Sequence, residues 1–413
     1  MRYALLGSTA LLSSAVLAAP ALAADPIKLE LKGYFQAFIT LGHIDRDVSG
    51  TTGTSYRPET FRYEGEIWFT GQTKLDNGTT VGVRIELEAW SQGGGSTSTN
   101  DQIDEEYIFA FGDWGRVEFG ALNDASYRMV YAAPSALTGW GFQDPNMGHR
   151  GNGFTASNNA GRAATVTPGM SAAMGANSGD ANKATYYTPR IAGLQIGVSY
   201  TPEFNGTASA AQCASRTSGG NFTNCPRNSN EWHNALDIGV NYLNKFGDVS
   251  VALYGGYFNA GFDRGTAGGA NNNVGGIIPA AANANGRWKS WATGAQVAYG
   301  GFTLGGGIGR DNNGLKGDNA TRWYAASLMY ETGPWQMSAG WWGGRNNEKS
   351  VASTTAQNRA GKDKIDMFEV GGNYALSPGI KLVGGFQYVM GSGQSKSEKA
   401  DSWAVIMGTV LTF

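Results

Sequence analysis

The feature that most constrains this chain is a period of two. It recurs along almost the whole length, in a sequence with no long apolar run beyond its first residues. From Ile27 to Leu41 the odd positions are Leu29, Leu31, Gly33, Phe35, Ala37, Ile39 and Leu41, while the even ones include Lys28, Glu30, Lys32, Tyr34, Gln36 and Thr40. Successive side chains of a strand point to opposite faces, so this segment has one apolar and one wet face. Phe61, Tyr63, Ile67 and Phe69 repeat the pattern against Arg62, Glu64 and Glu66. Asp76-Asn77-Gly78 then makes a tight turn, after which Val81, Val83, Ile85, Leu87 and Ala89 alternate with Arg84, Glu86 and Glu88. After residue 23 no run of 18 apolar residues occurs, which excludes a spanning helix but leaves a spanning barrel open.

The rest of the chain continues as long hairpins. Tyr107, Phe109 and Phe111 lead into Asp113-Trp114-Gly115, and Val117 and Phe119 then alternate with Arg116 and Glu118. Further strand pairs are expected at 183–189 with 194–200, 234–243 with 249–258, 287–299 with 302–310, 321–331 with 335–344, and 364–375 with 380–389, closing with 401–413. The count is sixteen strands. Short turns alternate with long polar loops at 201–232, 259–286 and 345–362, the asymmetry of an outer-membrane barrel. Tyr200, Tyr242, Tyr299, Tyr330, Tyr374 and Tyr388 fall near strand ends, where an interfacial belt forms. Glycine supplies 62 of 413 residues, about twice the usual share, and much of it lies on strands, as in a barrel with closely packed backbones. A soluble β-sandwich is the competing architecture. It would bury its apolar stripes in a core and would seldom carry Arg and Glu on so many consecutive polar faces.

Arg2, the small and apolar run Leu5–Ala18, and Ala21-Leu22-Ala23 form the three parts of an export signal, so residues 1–23 are expected to be cleaved and 24–413 to form the barrel. Cys213 and Cys225 are the only cysteines, and in an exported chain they are expected to close one loop as a disulfide. A formal net charge of −2 and the lack of a basic tract leave no case for nucleic acid. His43, His149 and His233 show no metal-ligand spacing, and no Ser–His pair suited to hydrolysis is legible. Gly305-Gly306-Gly307 lacks the Lys-Ser/Thr of a phosphate loop. Asp311, Asn313 and Asp318 offer oxygen ligands for a weak Ca²⁺ site, although their spacing misses the helical calcium-loop pattern. No cofactor is otherwise expected, and no catalysis.

Thr188-Pro189-Arg190-Ile191-Ala192-Gly193-Leu194-Gln195-Ile196-Gly197-Val198-Ser199-Tyr200 resembles the strand–turn–strand that follows the constriction loop of Gram-negative general porins. Val370-Gly371-Gly372-Asn373-Tyr374-Ala375-Leu376-Ser377-Pro378-Gly379 is similar to their penultimate hairpin, and the terminal Phe413, with Val405, Met407 and Leu411 on one strand face, resembles the signature read by the barrel-assembly machinery. The glycine-rich flavour is most similar to α-proteobacterial members. The resemblance implies a sixteen-stranded homotrimer in the outer membrane, passing small hydrophilic solutes and ions, with a long third loop folded into the lumen. Here that loop runs from about 122 to 182 and carries Asp124, Asp144, Asp180, Arg128, Arg150 and Arg162. Packing inside a lumen also accounts for a segment of that length. In the family, acidic loop residues face a basic wall. The wall candidates here are Lys28, Lys32, Arg62, Arg84 and Arg116, interspersed with Glu64, Glu66, Glu86, Glu88 and Glu118. Two readings of that wall stay open, a transverse field or simple neutralisation of Arg62–Glu64 and Arg84–Glu86 across strands. A solute-selective channel of the same fold is the alternative function, with Trp114, Trp140, Phe142 and Trp323 as candidates to line a sugar or organic-acid path.

Overall fold

A strand with one apolar face still leaves a row of unpaired N–H and C=O groups at each sheet edge, and hydrocarbon offers them no partner, so the sheet has to close. The computed structural model shows that closure. It describes residues 26–48, 57–90, 103–141, 178–204, 232–262, 287–312, 320–348, 361–392 and 398–413. The strands are β1 (Lys28–Val48), β2 (Glu59–Lys74), β3 (Thr80–Trp90), β4 (Ile103–Gly112), β5 (Gly115–Ala121), β6 (Asn182–Tyr187), β7 (Leu194–Phe204) and β8 (Trp232–Phe246). The second half comprises β9 (Val249–Phe262), β10 (Arg287–Tyr299), β11 (Phe302–Asp311), β12 (Ala320–Thr332), β13 (Trp335–Glu348), β14 (Gly361–Ser377), β15 (Ile380–Ser392) and β16 (Glu398–Thr412). All pair antiparallel with their sequence neighbours, and β16 pairs with β1, giving a closed sixteen-stranded barrel. The seam is finished by the last residue: the Gly33 N–H donates to the Phe413 carbonyl at 2.9 Å, and the Phe413 N–H returns to the Gly33 carbonyl at 3.0 Å.

The alternation sorts by face as expected. Leu29, Leu31, Phe61, Phe119, Leu304 and Val370 are exposed on the outside, while Gln36, Glu64, Glu86, Glu118, Ser338 and Gln387 are buried on the inside. Even strands join the next strand through short turns, and all odd strands but β15 end in longer segments. At the short-turn rim, rings from adjacent strands pack in pairs, Phe302 with Tyr330 at 4.4 Å and Trp335 with Tyr374 at 4.6 Å between centroids. Such a girdle suits the membrane–water boundary, where a ring meets hydrocarbon on one side and water on the other.

The strands run further toward the long segments than the alternation indicates. β1 continues to Val48 rather than Leu41, and β13 to Glu348 rather than Gly344. Beyond the bilayer both faces of a strand meet water, so hydrogen bonding persists after the apolar period has ended. On β4 the rings Tyr107 and Phe109 form the inner face and are buried, whereas Ile108 points outward.

Candidate functional site

The inner wall divides into two parts. Along β7–β15 it is covered by the segment that follows β5. Leu122 is fully buried, a single helical turn α1 (Ala125–Arg128) follows, and residues 129–141 then cross strand after strand. Buried backbone needs partners, and nearly every wall strand supplies one from a short polar side chain. Ser199 Oγ accepts from the Ala125 N–H at 2.9 Å, and the Asp237 carboxylate accepts from the Ser126 N–H at 2.7 Å and its hydroxyl at 2.5 Å. Asn241, Gln296 and Ser327 donate to the carbonyls of Met129, Ala132 and Pro134 at 3.2, 2.7 and 2.5 Å. The Ala136 N–H donates to Ser338 Oγ at 2.8 Å, while Asn373 donates to the Ala136 carbonyl at 2.8 Å. Gln387 and Trp140 exchange two hydrogen bonds at 3.2 Å. Close approach here requires glycine: a Cβ at Gly239 would lie 2.8 Å from Ser126 Cα, and one at Gly371 would lie 2.6 Å from Leu137 Cβ.

The two ends of this segment are clamped together. Lys183, on β6, has a fully buried side chain that donates to the carbonyls of Leu122 and Gly179 and lies 3.7 Å from Asp124. Asp124 in turn accepts from the Ser178 N–H at 3.1 Å and the Ser178 hydroxyl at 2.5 Å. Burial pushes the Asp124 carboxyl up, with Lys183 and Ser178 opposing.

The wall of β1–β5 is different. Arg116 pairs with Glu118 at 2.6 Å and lies 4.5 Å over the Phe109 ring. Arg84 pairs with Glu86 and lies 4.6 Å over Trp68. Arg128, at the end of α1, reaches Glu105 at 2.6 Å and Glu118 at 3.0 Å, and lies 5.2 Å over Tyr107. Burial opposes its charge, but the two carboxylates hold the guanidinium above its ordinary value. These three arginine side chains keep 25–32% exposure while their carboxylates are almost fully buried, so the guanidinium groups form the surface of the wall. Arg62 lies 5.7 Å over Trp140. Glu64 accepts from Gln36 at 2.5 Å, and Glu66 from Tyr34 at 2.9 Å and Trp68 at 2.7 Å. Carboxylate oxygens of Glu66, Glu88 and Asp104 lie within 4.8 Å of one another. Asp180 stands beside this acidic group; burial, reinforced by Asp104 and Glu105, pushes its carboxyl up to about 8.

The structure therefore redistributes the residues expected from sequence. Arg62, Arg84, Arg116, Glu64, Glu66, Glu86, Glu88 and Glu118 share the inner wall, together with Glu105, Arg128 and Asp180. Arg84–Glu86 and Arg116–Glu118 neutralise along one strand rather than across strands, because residues two apart share a face. Lys28 and Lys32 lie at the short-turn end of β1, opposite Gln72 and Trp68, with Lys32 held by Glu30 at 2.8 Å. Asp124 is corrected from a lumen-facing acid to a buried clamp. Trp140 and Trp323 are 1% exposed and line no path, because each fills space between wall and covering segment; Trp114 sits in the β4–β5 turn. Asp311 ends β11 and accepts from Trp288 Nε1 at 2.7 Å. Asp144, Arg150, Arg162, Phe142, Asn313, Asp318, Cys213, Cys225 and the expected signal lie outside the described residues. Lys183, Glu105 and Asp237 were missed. Their only sequence signal is a charge on the inward parity of a strand beside a long loop.

A sequence-family profile described as Gram-negative porin matches residues 7–394. No curated protein sequence matches the chain. Among solved structures, the barrel is similar to an anion-selective porin from Comamonas acidovorans, with a TM-score of 0.55 and 15% identity over 94% of this chain and 100% of that one. It is also similar to a loop-deletion mutant of OmpT, an outer membrane protein of Vibrio cholerae, with a TM-score of 0.54 and 12% identity over the same shares. At such identities the likeness concerns the fold.

Proposed function

The chain belongs to the Gram-negative porin family and is an outer-membrane diffusion channel, and from that premise we propose that its passage is general rather than solute-specific. The observation that carries this reading is the contrast between buried rings and exposed charge. Trp140 and Trp323, two of the four rings that could line a sugar path, are packed away. Arg84, Arg116 and Arg128 keep a quarter to a third of their side chains open beside their carboxylates. Paired charges of both signs along a wet wall favour small hydrated ions and polar solutes of either sign over one shaped ligand. In this reading residues 122–182 narrow the lumen against the wall of β1–β5. Transport is passive, and the family and fold point to a channel rather than an enzyme. The protein works as a homotrimer, and Phe413 serves as the handle for the assembly machinery.

The test is single-channel conductance of refolded protein in a planar bilayer, with a reversal potential taken across a salt gradient. Large ohmic openings in groups of three, unblocked by sugars or organic acids, are expected. Saturable block by one solute class would replace this reading with the selective channel.

A further inference from the structure

A cavity of about 430 Å³ lies at the short-turn rim, away from the conducting wall of β1–β5. Thr138 closes it on the side of the covering segment, Val410 and Thr412 of β16 form one wall, and Ala375, Pro378 and Lys381 form the other. Strand parity explains why it faces inward. On β15 Lys381 shares a face with the buried Val383, Gln387 and Val389, and on β16 Val410 and Thr412 share one with the buried Ala404 and Ile406. The cavity is preformed. The Thr412 N–H donates to the Gly379 carbonyl at 2.8 Å, tying β16 to the β14–β15 turn. Asn373 donates to the Thr138 hydroxyl at 3.1 Å, tying the covering segment to β14. A register shift between Ala375 and Ser377 interrupts the β14–β15 ladder at the same level.

The chemistry of the lining is one-sided. Ala375, Pro378 and Val410 make it largely apolar, and Lys381 is its single charge. Among the described residues no carboxylate pairs with Lys381. The inward-parity acids of this rim are engaged elsewhere, Glu30 with Lys32 at 2.8 Å and Glu331 with Gln336. An ammonium group set against apolar carbon is costly without an anion. The hydroxyls of Ser377 and Thr412 line the same cavity as further donors. Apolar walls with a few placed polar groups, in a space of about 300–1,000 Å³, are the usual makeup of a small-molecule site.

We propose that this cavity binds a small monocarboxylate with a short apolar chain. Its carboxylate rests on Lys381, and its chain lies against Val410, Pro378 and Ala375. The occupant sits behind Thr138 as seen from the lumen, so it braces the covering segment and leaves the passage open. The inference goes beyond the general-channel reading and does not depend on it.

The test follows hexanoate by saturation-transfer NMR on full-length protein folded in a nonionic detergent, with empty micelles as the blank. Saturable binding to wild type is expected, with hexylammonium unbound. Acetate, which lacks the chain, should bind at least about tenfold more weakly. Hexanoate should also slow amide exchange at residues 136–140. Lys381→Gln should weaken hexanoate binding about tenfold, the effect of losing a charged hydrogen bond, and should remove that slowing. Ala375→Trp keeps the charge but fills the cavity, so it should bind no hexanoate. Lys245→Gln, at the same rim on β8, should bind as wild type does. Wild-type affinity in either K381Q or A375W, equal loss in K245Q, hexylammonium binding as tight as hexanoate, or unchanged exchange at 136–140 would each overturn the proposal.

Discussion

The two parts of the inner wall solve opposite problems. Along β7–β15 the wall faces another piece of chain, and the side chains that bond it are mostly neutral hydroxyls and amides: Ser199, Asn241, Gln296, Ser327, Ser338, Asn373 and Gln387. Along β2–β5 it faces the open lumen, and the same parity carries Arg62, Arg84 and Arg116 with Glu64, Glu86 and Glu118. The strands are equally amphipathic in both regions. A neutral amide or hydroxyl can satisfy a buried carbonyl without the cost of desolvating an ion, whereas a guanidinium keeps its charge cheaply only where part of it still meets water. The charges that do lie under the covering segment, Asp237, Glu369 and the Asp124–Lys183 clamp, are held by two or more hydrogen bonds each. What the chain meets inside the barrel, and not its position along the sequence, separates a packing wall from a conducting one.

Four variants sharpen that contrast, three in falling order of expected effect and one read through pH. Trp140→Ala removes a fully buried ring that packs at 5.2 Å on Phe38 and bonds Gln387. Truncations of this kind cost about 3–5 kcal/mol, which should fall on the attachment of the covering segment and leave the barrel ladder intact. Limited proteolysis should then cut between β5 and β6 while heat-resistant barrel mobility is unchanged; loss of the barrel itself would show that the segment is part of the fold's core. Asp237→Ala strands the Ser126 N–H and hydroxyl and should loosen α1 by about 2–3 kcal/mol, read as faster amide exchange at Ala125–Arg128.

On the conducting wall, Arg84→Gln with Arg116→Gln should move the permeability ratio toward cations by about threefold, an energy near RT per ion. The reversal potential measures this, and an unmoved value would mean that the passage runs elsewhere. The last variant concerns pH. The folded Asp180 carboxyl is raised to about 8 from an ordinary value of 3.8. The folded state therefore holds its proton more tightly than the unfolded chain does. Stability from this group is full below about pH 4, declines as pH rises from there, and is lost by about pH 8. Asp180→Asn should flatten the pH dependence of local amide exchange around residues 178–181 in that window, and a profile identical to wild type would remove Asp180 as its source.

Much of this was legible beforehand. The period of two, the Asp76-Asn77-Gly78 turn, the alternation of short turns with long loops and the terminal Phe413 all act locally, so they could be read without the fold. The wet parity of Arg62, Arg84, Arg116 and their neighbouring glutamates was equally plain. The role of Asp124 was not, because an acid in a long loop reads the same whether it faces water or lies under Lys183, 59 positions later. Trp140 and Trp323 were ambiguous for the same reason: a ring lining a path and a ring filling a gap have the same sequence signature.

By itself, then, the sequence determined the sixteen strands, their two faces and the closure of the sheet, since these follow from hydrogen bonding and from apolar solvent outside against water within. Tertiary structure decided which inward side chains meet water. That depends on residues 125–141 crossing nine strands of the wall, a set of contacts between residues as far apart as Trp140 and Gln387 that no local period records.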